Sequence, residues 1–245
     1  MRLPRHDTPL SLPAEPPRAA ISRDEALLDS PGTQRWWIAS SPAVVVGLAQ
    51  HLRVGTIVDL ERCQRAAVDV VSRRAGGGAL LLDDAVVCGA VSVPTRWLPH
   101  DVTDSYRCLS QRLVRALTEL GIAGRRLEVA EARADTAALR AAGDATSSGL
   151  LNTCYGQLSP HEIVVDGRKL VGLAQIRRRD ASLFQFGILL RDQARLADYL
   201  QVPSAGEREA LRAALARRTI GLQSLTRRSA AEVAGAVAGA MPSAP

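Results

Sequence analysis

The chain is 245 residues long, 47% hydrophobic and 23% charged, values of an ordinary globular protein that exclude wholesale disorder, collagen and coiled coil. No apolar run approaches the roughly 18 residues that a membrane span needs. The net charge of +6 comes with basic residues spread along the chain, and aromatic residues are only 3%, too few for the stacking platform of a nucleic-acid binder.

Residues 1 to 20 hold five prolines and little periodicity, and read as a disordered tail. Ser22-Arg23-Asp24-Glu25 has the form of a capping box that opens a short helix, and Pro31-Gly32 stops it. Strands are expected at 34–39 and 43–47, and a helix over 58–68. Further strands are expected at 68–72, 79–82 and 86–93, with the link Ala75-Gly76-Gly77-Gly78 between the first two. The clearest helix is 102–120, where Val102, Tyr106, Leu109, Leu113, Leu117 and Leu120 recur at helical spacing and Gly121 ends it. A strand near 126–129 and then a loop rich in Ala, Gly and Ser are expected up to residue 150. Asp166-Gly167 between two apolar runs predicts a hairpin, because both turn residues tolerate positive φ. A strand over 183–190 and helices over 206–218 and 229–240 follow. This order predicts an α+β fold, with mixed, mostly antiparallel sheets and helices packed around them.

The N-terminal residues lack the apolar core of a signal peptide, so a cytoplasmic location is expected. Four cysteines, Cys63, Cys88, Cys108 and Cys154, form no CxxC pair, and no metal site or structural disulfide is expected. Of the 31 basic residues, 30 are arginine and one is lysine, Lys169. An acidic protein partner is compatible with that charge. An ammonium is a compact point charge that can give up its proton, which a guanidinium cannot. The surviving lysine is then either a solvated residue beside a turn, left by a composition that replaces lysine with arginine, or one held at a position where arginine would not serve.

Three segments can carry chemistry. Arg73-Arg74-Ala75-Gly76-Gly77-Gly78-Ala79 lets a backbone approach a ligand closely and offers flanking cations. No GK[ST] follows it, so it is not a Walker loop. In Gly167-Arg168-Lys169-Leu170-Val171-Gly172-Leu173-Ala174-Gln175, the lysine opens a strand on which Gly172 and Ala174, at even spacing from 170, leave room on one face. Cys154 lies fifteen positions before Lys169 and would become nucleophilic if the fold set a cation beside it. His161 lies between the two, as a loop residue or a base. Cys63, Cys88 and Cys108 read as inert buried thiols.

Taken together, these segments resemble the lipoate–protein ligase and octanoyltransferase family, related to biotin ligases. The family's Asp-Glu-Ala-Leu-Leu helix is matched by Asp24 to Leu28, its V-V-V-G-x-x-Q segment by Val44 to Gln50, and its R-x-[ST]-G-G-[GR]-A loop by Arg73 to Ala79 except at Ala75. The lysine motif G-[RK]-K-[ILV]-x-G-x-A-Q is matched in full by Gly167 to Gln175, and Leu183 to Leu190 fits a further typical segment. Leu82-Asp83 stands where many members have His-Asp.

The resemblance implies a biotin/lipoate ligase-like catalytic domain over 21–200, with a helical extension over 201–245. It implies transfer of an octanoyl or lipoyl group to one lysine of a lipoyl carrier domain, of a dehydrogenase E2 or a glycine cleavage H protein, with acyl carrier protein as a further partner. Neither nucleic acid nor membrane is an expected partner. Cys154 and Lys169 are the implied catalytic residues. Arg73, Gly76, Gly77, Gly78, Ala79, Lys169, Gly172 and Ala174 are the implied substrate-binding residues. Cys154-Tyr155 followed by Glu162 fits members that work through a cysteine thioester. On that route no tightly bound cofactor is expected, and lipoate or octanoate is substrate. An ATP-dependent ligase, which would use ATP and Mg²⁺, and a carrier-binding protein without turnover are the alternatives.

Overall fold

The structure, a computed structural model, describes residues 10–242. Strand β1 (Ala14–Glu15) precedes helix α1 (Pro17–Ala26), then β2 (Gln34–Ala39), β3 (Ala43–Val46) and a 3-10 turn at Leu48–Arg53. Two short helices, α2 (Val54–Ile57) and α3 (Leu60–Arg65), lead to β4 (Asp69–Ser72), β5 (Leu80–Leu82) and β6 (Val86–Pro94). Next come α4 (Val102–Glu119), β7 (Arg125–Arg126), α5 (Val129–Ala142) and α6 (Ala145–Leu151). The chain continues through β8 (Ile163–Val165), β9 (Arg168–Arg177), β10 (Ala181–Leu189), α7 (Ala205–Arg218) and α8 (Ala230–Ala240).

Seven strands form one sheet in the order β1-β2-β6-β10-β9-β8-β7, and three form a second, β4-β3-β5. Among the described residues, pairing is antiparallel apart from β1–β2 and β3–β4. This is the α+β architecture expected from the order of elements.

Side-chain alternation divides the large sheet into two faces. Trp36 packs with Val91, Phe184, Phe186 and Ile188 under α4 and α8. Its neighbour Trp37 points to the other face, with Cys88, Val86 and Leu189, against Val45, Leu80 and Leu82 of the small sheet. The small sheet's outer face, Val44, Val46 and Leu81, is covered by residues of α2, α3, α6 and α7. Strand β6 is buried along all its length because both its faces are covered, which explains its continuous apolar run. Helix α4 is capped by Asp101, whose side chain accepts from the Asp104 N–H, and it buries Leu109, Leu113, Ala116 and Leu117.

Three expectations need correction. Residues 10–20 are not a tail: β1 pairs with β2, and α1 starts at Pro17. Proline fits the first helical turn because its missing N–H would have no partner there. Residues 1–9 of that expected tail lie outside the described residues. Second, Ser22 to Glu25 lie inside α1 rather than opening it, and Asp24 is turned inward to bind Arg35. Third, the strand expected near 126–129 is the short β7 at Arg125–Arg126, and residues 129–151 after it are two helices, not a loop. Glu128 and Glu131 close a reciprocal capping box on α5, Gly143 ends it at φ 63°, and Asp144 caps α6. Within 201–242, α8 packs its Val233 and Val237 into the core under the large sheet, while α7 buries Leu211 and Leu215 against the small one.

Candidate active site

Cys154 follows α6 on a segment pinned by the glycine loop. The Ala79 N–H donates to the Asn152 carbonyl at 2.8 Å, and the Cys154 N–H donates to the Ala79 carbonyl at 2.7 Å. A Cβ on Gly78 would stand 2.6 Å from the Thr153 carbonyl carbon and 2.8 Å from the Cys154 nitrogen, so only glycine allows this contact. Gly77 adopts φ 104°, a conformation natural only to glycine, and a Cβ on Gly47 would run into its carbonyl. The Gln50 amide donates to the Asn152 carbonyl at 2.8 Å, and Glu25 accepts from the Arg74 N–H at 2.8 Å. Three segments distant in the chain, at Gly47–Gln50, Gly77–Ala79 and Asn152–Cys154, therefore converge on the backbone around Cys154.

Lys169 reaches the same segment from β9. Its side chain is fully buried and its Nζ lies 2.6 Å from the Glu162 carboxylate. It also donates to the carbonyl oxygens of Cys154 at 2.5 Å and Gln157 at 3.2 Å. An ammonium has three N–H bonds, and all three are engaged. Nζ also stands 5.1 Å from the centre of the Tyr155 ring. Glu162 is held in turn by the Ser159 N–H at 2.7 Å and the Leu173 N–H at 3.4 Å. Burial pushes the Glu162 carboxyl above its ordinary range, against the pull of Lys169.

A β-bulge aims the lysine. Ile163 pairs with Val171 and Val164 with Lys169, which leaves Leu170 as an extra residue in β9. A bulge resets the alternation of the strand. Lys169 Cε consequently lies 3.4 Å from where a Gly172 Cβ would be, although an odd spacing of three would separate them on a regular strand.

Between the two sheets lies a narrow pocket, partly open to solvent. Cys154, Tyr155, Gly172, Gly187 and Arg73 line it with apolar residues such as Val45, Leu80 and Leu82. Gly172 and Gly187 are cross-strand partners and make room for Tyr155, whose hydroxyl donates to the Gly187 carbonyl at 2.6 Å. The polar lining is Arg73, Asp24 and Gln185. Asp24 binds Arg35 at 2.5 Å and accepts from Trp37 Nε1 at 3.2 Å and Gln185 Nε2 at 3.4 Å. Gln185 Oε1 and Arg73 Nε are buried without a partner, so the apolar pocket retains one acceptor and one donor. Such a pocket suits a hydrocarbon chain that carries one polar group.

The expected residues fall into two groups. Cys154, Arg73 and Gly172 line the pocket, with Lys169 directly behind them. Gly77, Gly78 and Ala79 instead brace the Cys154 backbone, and Gly76 is exposed at the loop tip. Ala174 is buried on β9 opposite Gln185, outside the pocket lining. His161 is buried at φ 67° away from that lining. Cys63 is buried with its pKa pushed up to about 11 by burial, but Cys108 is exposed on α4, contrary to expectation. Cys88 lines the pocket, and its burial raises its pKa well above the ordinary value. Asp24, Tyr155, Gln185 and Gly187 were not singled out as site residues in the sequence. No grouping of three or more His, Cys, Asp or Glu suited to a metal occurs among the described residues.

A family model described as the lipoyl protein ligase A/B catalytic domain matches residues 16–241. The chain belongs to this family. An octanoyltransferase LipM of Kyrpidia tusciae is 33% identical over 210 residues, covering 82% of this chain and 73% of the relative. Another, of Geobacillus kaustophilus, is 29% identical over 222 residues, covering 87% and 76%. A bipartite lipoate protein ligase of Thermoplasma acidophilum, solved in work on a lipoylation system with its E2 lipoyl domain, superposes with a TM-score of 0.73 at 20% identity. It covers 94% of this chain and 80% of its own. A lipoate-protein ligase A bound with ATP gives 0.69 at 20% identity, covering 95% and 84%. The fold is thus shared with these ligases. No helix among the described residues is long and apolar enough to cross a membrane.

Proposed function

We propose that this chain transfers an octanoyl or lipoyl group to a lysine of a lipoyl carrier domain through a thioester on Cys154. The observation that carries the reading is the meeting of Cys154 and Lys169 at an apolar pocket, with Nζ bound to the Cys154 carbonyl. The octanoyltransferase relatives support the same chemistry. In the first step Cys154 gives up its thiol proton and attacks the carbonyl of a donor thioester; the donor's carbon–sulfur bond breaks and the donor leaves as a thiol carrying that proton. In the second, the carrier lysine's amine attacks the acyl-cysteine, an amide forms, and the Cys154 thiol is released with the amine's proton.

Lys169 holds the Cys154 carbonyl through its Nζ and so fixes the cysteine at the pocket. To stabilise an oxyanion, its ammonium would exchange one of its two backbone carbonyl partners for the acyl oxygen. Glu162 keeps the charge in place while that exchange occurs. The acyl chain would lie along Val45, Leu80 and Leu82.

Incubation with an apo lipoyl domain and either octanoyl-carrier thioester or lipoate plus ATP and Mg²⁺ tests the reading. Thioester-dependent modification is expected, with an acyl-protein intermediate seen by intact mass and lost in Cys154→Ala. A Cys154→Ala variant that retains full transfer from the thioester would sink the nucleophile assignment. Modification that requires ATP and free lipoate would instead establish the ligase mechanism, and binding without modification the carrier-binding role.

A further inference from the structure

We infer that the 3-10 turn Leu48–Arg53 and the arginines beside it form the docking surface for the acceptor carrier domain, which meets it with an acidic, partly apolar face around its lysine. The inference rests on the acyl-transfer reading of Cys154. Five large hydrophobic residues are exposed among the described residues, and three of them, Leu48, Leu52 and Leu60, fall within thirteen positions of one another. Leu52 is 93% exposed and Leu48 62%. Gly55 lies against Leu60, so the apolar surface continues from the turn to α3. An apolar cluster left open to water beside a functional pocket marks an interaction site.

The turn is fixed to the reaction centre. The Leu48 N–H donates to the Ala75 carbonyl at 3.1 Å, Gly47 packs against Gly77, and the Gln50 side chain holds the Asn152 carbonyl. The patch is thus one loop away from Cys154 and is held rigidly there. The turn itself carries no carboxylate: residues 43–58 contain no Asp or Glu, and neither do residues 70–82, while Arg53 and Arg74 are exposed. The carboxylates that border it are Glu25 against Arg74, and Asp59 and Glu61 beside Leu60. A partner with an acidic face is favoured over the turn itself.

Reach decides which partner this is. The amine of a lysine sits on a four-carbon stem. To deliver it to Cys154, the carrier domain must rest on the loops bordering the pocket mouth. A donor that carries its thioester on a long flexible arm has no such requirement. The surface next to the glycine loop therefore fits the short-armed acceptor.

Leu52→Glu and Leu48→Glu test the inference with two readouts. One is acylation of Cys154 by octanoyl-coenzyme A, followed by intact mass. The other is binding and modification of an apo lipoyl domain. The expected result is Cys154 acylation at the parent rate, with Kd and KM for the lipoyl domain raised by about tenfold or more. Added salt should weaken binding by the parent protein. Unchanged Kd and KM in both variants would overturn the surface, as would a parent dimer that the substitution converts to a monomer. Parallel loss of acylation and binding in Leu52→Glu, with Leu52→Ser showing neither defect, would equally count against it. If the parent acylates nothing, the transfer reading fails, while the binding titration still decides whether this surface receives the domain.

Discussion

The pocket-lining carboxyl of Asp24 is held at an unusual protonation balance. Burial lifts it from 3.8 to about 6, although Arg35, Trp37 and Gln185 all favour the charged form. The folded chain therefore binds this proton more tightly than the unfolded chain. That contribution to stability is complete below about pH 4 and is lost as the pH rises through about 6. Asp24→Asn should remove it. Urea unfolding of the two proteins should show the parent gaining up to about 3 kcal/mol relative to the variant between about pH 7 and pH 4. A pH-independent difference would refute this account. Asp24 was visible in the sequence only as part of a helix motif. Its inward turn depends on Arg35 and Gln185, which are distant in the chain. Lys169 was legible because nothing else in the chain resembles it. Its pairing with Glu162 and its aim depend on the Leu170 bulge, which no local pattern announces.

At the scale of elements, α5 and α7 clamp the chain just after Cys154. Arg218, at the end of α7, donates through Nε to the Gly156 carbonyl at 2.6 Å and through Nη2 to both Asp135 oxygens at 2.6 Å. Asp135 on α5 also accepts from the Leu158 N–H at 3.4 Å. Arg218→Ala should lower unfolding free energy by about 2 kcal/mol and reduce kcat for transfer by about tenfold. Asp135→Asn, which keeps an acceptor in place, should cost less in both. Calorimetry and steady-state kinetics check this pair, and equal effects from the two substitutions would contradict the clamp. Helix α5 escaped the sequence reading because its fourteen residues bury only Ala132 and Leu139, too few to print a helical stripe. The hairpin before β9 was legible because its cause is local. Asp166 and Gly167 both adopt positive φ, at 48° and 74°, as Asp-Gly predicts.

The described residues are layered: helices α4 and α8, the large sheet, the small sheet, then α2, α3, α6 and α7. The strand at 34–39 was legible in the sequence, but not that both its faces would be covered. Helix α8 closes the first layer with Val233, Ala234, Val237, Ala240 and Met241 buried. Removing residues from Ser229 onward should expose the cores of α4 and the large sheet beneath it. Two buried valines alone are worth about 3–6 kcal/mol, a large share of the roughly 5–15 kcal/mol that stabilises a typical domain. The shortened chain should bind a hydrophobic dye and melt at lower temperature, or fail to accumulate as folded protein. An unchanged melting temperature would mean that α8 is a passive appendage.

If the chain carries an acyl group on Cys154, as proposed, the scarcity of lysine has a consequence. An acyl-cysteine reacts with any accessible neutral amine, and a protein's own lysines are the amines nearest to it. Here the single side-chain amine is fully buried with its hydrogens committed, and the thirty arginines are held as guanidinium, which does not lose its proton to become a nucleophile. On the acyl-transfer reading, arginine supplies positive charge near the reaction centre without supplying a nucleophile. The composition that supplies positive charge also protects the protein from labelling itself.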